Sequence, residues 1–476
     1  MKIKIAIIGM LILFLNISAV KLNSTLIPAC VNGKCGYINN KGNWIIEPQF
    51  EDADDFYDND LAAVKINGKY GYIDKNGKIV IEPKFRRAGY FIDNKFAIVV
   101  YNDKYGLIDV TGKMIVEPKY DFITFDKHYL YYNITLNRKK GTINSSGEII
   151  EPQFDEIQPF KKNGLAVIKL NGKYGFINEK GEIVIEPQFD YAKGFFDNGL
   201  ACVAINRKRG LINSKGDIVV EPVFDDINPF AKNGLAVASQ NRKEGFIDKS
   251  GKFVIEPQFN RATNFSDNGL AAVQVNWKWG FIDKTGKMVI EPQFDIAAQF
   301  DDNGLAKVYK NTVGYGFIDA TGKYVVEPKY QNATPFDENG ISEIQILLPN
   351  DTPKKNPEYP FSDKDTIVYE VVELAEDIHP WKTGCVNNKG KIILEPKYDE
   401  VLIYRNSKNI KIKLNNKNGL ADINGNIVFE PQDNKITVHN NTIFVKENHK
   451  WGIVDENGKF TVEPKFDWVI SRLFAY

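Results

Sequence analysis

The residues best able to do chemistry in this 476-residue chain are twelve glutamates that each precede a proline, four histidines and four cysteines. Paired carboxylates suggest an acid and a base for glycoside hydrolysis. One glutamate per repeat in the same local surroundings reads instead as a structural bond to a neighbouring turn or lysine. His128, His379, His439 and His449 lie far apart, and neither they nor the cysteines have metal-ligand spacing. The acidic runs Glu51 to Asp60 and Asp301-Asp302-Asn303-Gly304 lack the alternating oxygen ligands and central glycine of a calcium loop. No phosphate loop or nucleophile elbow is present. The chemistry predicts no catalytic, cofactor-binding or metal-binding residue, and a protein that is not an enzyme.

Charge narrows the partners. The chain has 61 basic and 61 acidic side chains, without the positive excess that nucleic-acid binding uses to neutralise phosphates. At 43% apolar it also lacks the low hydrophobicity of a disordered chain. Residues 1–19 begin with Lys2 and Lys4, continue with the apolar run Ile5 to Leu15, and reach Ser18 and Ala19. This pattern predicts a cleaved signal peptide and an exported protein, periplasmic, cell-surface or extracellular. The apolar run is too short to span a bilayer, so no membrane span is expected after cleavage.

The elements that position these residues follow a repeat. Glu-Pro begins at residues 47, 82, 117, 151, 186, 221, 256, 291, 327, 395, 430 and 463. Apart from one interval of 68, the spacings run from 33 to 36, so one unit is copied twelve times. In the copy starting at Leu61, a first extended piece ends at Asn67-Gly68 and the piece Tyr70 to Asp74 follows at once, which predicts a tight hairpin. Asp74-Lys75-Asn76-Gly77 is a turn whose Asp can bond the backbone two residues on. The third piece, Lys78 to Glu82, is expected to stop at Pro83, which has no N–H for a ladder.

A glycine follows the first turn in every copy, as at Gly71, Gly245 and Gly280. Glycine weakens a strand, so a ring or a backbone should lie over it. An aromatic stands two residues after the proline in eleven copies, Asp433 being the exception, and another six residues later, as in Phe56, Phe160, Phe230, Phe265 and Phe300, is expected to be a second core plug. No copy buries enough to fold alone, so the copies must stack. The predicted fold is all-β, a tandem array of about twelve three-stranded antiparallel units of ~35 residues, in an open superhelical array or, alternatively, one or two propeller-like rings.

Aromatic-Gly, an apolar pair, Asp/Asn-x-x-Gly, a β-branched run and Pro-x-Phe together resemble the WG-repeat family of bacterial proteins, over nearly all of the chain after residue 19. Tryptophan is kept only at Trp279-Gly280 and Trp451-Gly452; four copies have tyrosine and six have Cys35, Lys140, Arg209, Glu244, Thr383 and Asn418. The resemblance implies a β-rich scaffold without established chemistry.

Cys30 and Cys35 flank Val31-Asn32-Gly33-Lys34. With Asn32-Gly33 as a two-residue turn they form the next cross-strand pair, close enough for a disulfide in an exported protein. Cys202 and Cys385 read as buried, inert thiols. Repeats one to nine and the start of the tenth cover residues 27–348. Residues 349–380 are an acidic, proline-rich insertion, and 381–476 hold the rest of repeat ten, repeats eleven and twelve and a C-terminal cap. The insertion is expected to be an exposed loop, with Ile367 to Leu374 as an extra strand.

Candidate ligand contacts are the basic hairpin tips Arg138-Lys139, Arg207-Lys208 and Arg242-Lys243, which could align as a cationic stripe, and Trp277 beside Trp279, which could stack on a sugar or a partner. The expected function is an exported, non-enzymatic scaffold that binds an unknown partner protein through hairpin tips and insertion. The alternative is a module binding cell-wall glycan through exposed aromatics.

Overall fold

Ten tight hairpins of the expected kind, one with a longer turn after Lys310 and one opened by the insertion, organise the described residues. The computed structural model describes residues 26–127, 129–347, 381–403, 409–432, 434–439, 442–455 and 458–469. The signal segment, His128, the insertion 349–380 with its expected strand, His379 and Asp433 lie outside the described residues. Within them the chain forms β-strands and no helix, arranged as twelve four-stranded sheets. Three strands of each sheet are the meander read from the repeat. The fourth is the connector, often only two residues long: Asp52–Ala53 pairs with Ala62–Ile66 of the copy that follows. A repeat therefore completes the sheet of its successor.

The Glu-Pro strand does not stop at its proline. Ile79–Phe85 is one strand, and its register against the glycine strand jumps from Tyr72↔Ile81 to Tyr70↔Phe85. Four residue steps thus face two, and Glu82-Pro83 is a bulge. Proline is tolerated there because it sits where the ladder needs no N–H, on the outer strand of the sheet. The bulge explains the constant glycine. A Cβ on Gly245 would lie 2.5 Å from the Ile255 carbonyl oxygen and 2.8 Å from Pro257 N. The side chains of the constant glutamates are exposed in every copy, and the backbone they carry is part of the recurring bulge.

The Asp/Asn-x-x-Gly turns are built by their side chains. Asp248 Oδ1 accepts from the N–H groups of Ser250 and Lys252, at 2.9 and 3.2 Å, and the other copies repeat the arrangement at residues such as Asn178 and Asp319.

Contacts divide the chain into a first unit, through Thr124 together with residues from Lys465 on, and a second, Phe125–Pro464. In the second, apolar clusters lie between consecutive sheets. Phe246, Ile255 and Phe259 of one sheet pack with Phe265, Val273 and Ile282 around the next. The aromatic after the glycine meets the second aromatic of its repeat: ring centroids are 4.7 Å apart for Phe246 and Phe265 and 5.0 Å for Phe281 and Phe300. Phe160 and Phe230 occupy the same position half-buried.

In the first unit Tyr37 and Phe56 repeat that pairing at 4.8 Å. Its first sheet takes Trp468–Val469 as fourth strand, with Ala29 opposite Val469 and Cys30 opposite Trp468. The C-terminal segment thus covers an edge of the first copy that would otherwise present unpaired backbone groups.

Burial, reinforced by Asp52 and Asp55, pushes the Asp54 carboxyl up to about 7. The folded state therefore holds a proton that the unfolded chain, titrating near pH ~3.9, gives up. Stability of the first unit falls as pH rises from about 4 to about 7 and is level above. Asp54→Asn should remove that slope. Urea melts at pH 4 and pH 8 check it: a gain confined to pH 8 is expected, and an equal gain at both values contradicts the burial argument.

Candidate binding edge at the hairpin tips

Ten of the hairpins close with two residues in the left-handed region, the geometry that matches strand twist; the turn after Lys310 is one residue longer and the tenth hairpin is opened by the insertion. Asparagine usually comes first, at φ 52 for Asn32 and φ 49 for Asn67. The second position suits glycine, and Gly33, Gly68 and Gly172 supply it at φ 73, 76 and 80. Five copies of the second unit put large side chains there, Arg138, Arg207, Arg242 and Trp277, at φ 65, 64, 63 and 64, and further along His449 at φ 67. A residue with a Cβ in this region is strained by roughly 1–2 kcal/mol. Four of these side chains fall within the five consecutive tips from Arg138 to Trp277, which makes this stretch the place where side-chain identity departs from what the turn favours.

In most copies of the second unit a carboxylate after Pro-x-aromatic holds two tips together. Asp190 Oδ1 accepts from Lys173 Nζ of one tip at 2.6 Å, while its Oδ2 accepts from Asn206 N of the next at 2.8 Å. Lys278, Asp295 and Asn311 N repeat this at 2.5 and 2.7 Å. Lys139 reaches Asp155 at 2.6 Å and Lys208 reaches Asp225 at 2.5 Å. The hydrogen bond from the lysine holds Asp155, Asp190, Asp225 and Asp295 below the usual carboxylate range. Where the carboxylate is replaced, Lys243 bonds Asn260 Oδ1 at 3.1 Å. Consecutive tips are therefore fixed in register along one edge of the sheets.

These pairings narrow the cationic stripe. Lys139 and Lys208 are neutralised by Asp155 and Asp225. Arg138, Arg207 and Arg242 are exposed and no ion pair engages them among the described residues. Lys243, facing an amide, keeps its charge uncancelled. Trp277 stands 75% exposed, whereas Trp279 is half-buried against the core of its sheet. The paired carboxylates escape a reading of the sequence by motif; their signal is an aspartate 16 or 17 residues after the tip lysine. In the first unit the second turn position holds Gly33, Gly68 and Asp103, the last paired with Arg86, so no cation stands at that position there.

Other chemistry is sparse. No group of three or more His, Cys, Asp or Glu able to hold a metal occurs among the described residues, and no helix among them is long and apolar enough to cross a membrane. His449 is an exposed tip residue at φ 67. Cys202 and Cys385 are buried; burial raises both thiols, Cys385 to about 12. Cys30 and Cys35 are joined, Sγ–Sγ 2.08 Å, Cys35 standing at the position where six other copies have a tyrosine or tryptophan. A cavity of about 400 Å3 opens beside the disulfide, against Glu51, Asp52, Asp467 and Trp468. Its carboxylates are committed: Asp52 to the Tyr70 hydroxyl at 2.7 Å, Glu51 to Gly68 N at 3.0 Å and Asp467 to Asn32 N at 2.7 Å.

Comparison with solved structures finds distant likenesses. A crystal structure of a eukaryotic initiation factor aligns with a TM-score of 0.36 at 10% identity, over 78% of this chain and 94% of that one. BamB from Moraxella catarrhalis aligns at 0.29 and 11%, over 54% and 92%. The extracellular domain of a putative hybrid two-component system from B. thetaiotaomicron aligns at 0.21 and 10%, over 85% and 63%. Scores this low carry no functional argument. No curated protein matches. The family described as WG containing repeat matches at 36–70, 70–105, 105–127, 141–174, 174–208, 210–243, 245–279, 279–311, 315–346, 384–417 and 451–471. It passes over the copy around Gly419, whose aromatic is replaced by Asp433. With eleven copies matched over most of its length, the chain belongs to the WG-containing-repeat family.

Proposed function

We propose that this protein is an exported, non-enzymatic scaffold that binds a partner protein along the hairpin-tip edge of its second unit. The observation that carries the reading is the set of strained, exposed, non-glycine residues at Arg138, Arg207, Arg242 and Trp277, the three arginine tips being held in register by Asp155, Asp190 and Asp225. Strain retained at a position where glycine would relieve it is a pointer to use. Export is supported by the N-terminal pattern and by the paired Cys30 and Cys35. The insertion 349–380 is a second contact in this reading. It leaves the tenth sheet between Leu347 and Trp381, which face each other across the hairpin, and so springs from a tip.

The second reading, a module for cell-wall glycan, rests on Trp277, whose exposed indole could stack on a sugar ring. A photocrosslinking residue at Arg207 or Trp277, compared with one at the exposed Val254 on an outer strand, tests the scaffold in the native host. One protein captured from the tips and not from Val254 supports it. Equal capture from all positions, or glycan alone, overturns it.

A further inference from the structure

We infer that the partner presents an extended acidic segment of polypeptide, docked along Arg138, Arg207, Arg242 and Lys243 and ending in an apolar residue on Trp277; this rests on the scaffold reading above. The charge left at each tip gives the first argument. Asp155 and Asp225 cancel Lys139 and Lys208, and Asp226 pairs with Arg209. Arg138 keeps beside it the exposed Lys140, whose ammonium meets only the Thr135 hydroxyl among the described residues, whereas Arg207 is left alone at its tip. At the next tip Asn260 replaces the aspartate, and Arg242 and Lys243 both remain. Counted over the second turn residue and the one after it, the edge carries one, none, one and two uncancelled positive charges over four consecutive tips, with Gly172 as the gap and Lys140 adding to the first, and then the indole of Trp277.

Guanidinium groups present a planar fork that pairs with carboxylate oxygens two at a time. Because the shared carboxylates tie neighbouring tips, the cations form a line, which fits an extended ligand. Its uneven spacing argues for a polypeptide over a glycan or polyphosphate. A uniform polymer calls for uniform cations, whereas aspartate and glutamate carry carboxylates on jointed stems that reach unequal distances. An aromatic anchor beside a charged row is also the composition of a protein-recognition surface.

The test uses the full chain and a fluorescein-labelled oligo-glutamate peptide ending in leucine, followed by anisotropy at low and raised salt. The triple variant Arg138→Gly, Arg207→Gly, Arg242→Gly installs the residue that Gly172 already holds, so folding is preserved and the thermal midpoint should rise. Binding should weaken by about ten-fold, with a shallower salt dependence. Trp277→Gly should weaken the leucine-ended peptide and leave an all-glutamate one unchanged.

A control removes the same charge from the other end of the glycine strands, with Lys180→Ala, Lys215→Ala and Lys284→Ala in the Asp/Asn-x-x-Gly turns; it should bind as the parent does. The inference is overturned if the parent does not bind the peptide, if the two triple variants lose affinity equally, or if polyphosphate binds more tightly than the peptide. In any of those cases, continued capture of one protein from the tips leaves the scaffold standing, whereas loss of that capture removes the scaffold itself.

Discussion

Gly245→Ala is expected to destabilise the second unit by about 3 kcal/mol or more, because the added carbon has nowhere to go. The contacts it would meet, the Ile255 carbonyl oxygen and the backbone around Pro257, belong to a bulge and cannot rotate away as a side chain can. Relieving the clash means pulling the outer strand off its sheet, and with it Phe259 and Ile255 of the apolar cluster. Gly234→Ala is the comparison. Gly234 has φ 83 and nothing within 4 Å of where a Cβ would stand, so alanine there costs only the backbone strain of roughly 1–2 kcal/mol. Urea unfolding of both variants, with hydrogen exchange of the Phe253–Phe259 strand, separates the two causes. Equal losses would show that strand conformation, and not the approach of the bulge, accounts for the constant glycine.

The second large effect concerns the disulfide. Reduction, or Cys30→Ala with Cys35→Ala, is expected to cost the first unit about 2 kcal/mol, the loop-closure value for so short a loop. The loss should be local. Exchange should accelerate in Ile27–Val31 and Lys34–Ile38, and in the Trp468–Val469 strand that pairs with the first of them, while the strands around Phe246 and Phe281 keep their protection. A reduced protein with unchanged exchange at Ile27–Val31 would show that strand pairing alone holds this sheet.

Legibility follows the range of the interaction. The repeat, the Asn-x and Asp/Asn-x-x-Gly turns and the second aromatic are local signals, and each appears where the spacing puts it. Pro83 reads as a strand end because the missing N–H is a property of one residue; that the strand resumes at Lys84-Phe85 depends on the neighbouring glycine leaving room. The two-residue connectors are too short for any periodicity. Lys173, Asp190 and Asn206 are readable as residues but not as a clamp, since their meeting depends on which sheet the connector joins. The strain at Arg207 is recoverable by setting its copy against Gly68 and Gly172, a comparison of turn conformation and not of charge. Without the clamps, Lys139 and Lys208 cannot be told from the free arginines beside them.

The forward donation of the connector has a bearing on how such a chain changes length. Since every sheet after the first borrows its fourth strand from the copy before it, the genetic repeat and the folded sheet are out of phase. Gain or loss of one whole copy inside the second unit leaves each survivor with a donor upstream and an acceptor downstream. Unequal recombination can therefore add or delete sheets without inventing a contact, and a tip such as Arg207 can be multiplied or silenced along the edge as a cassette.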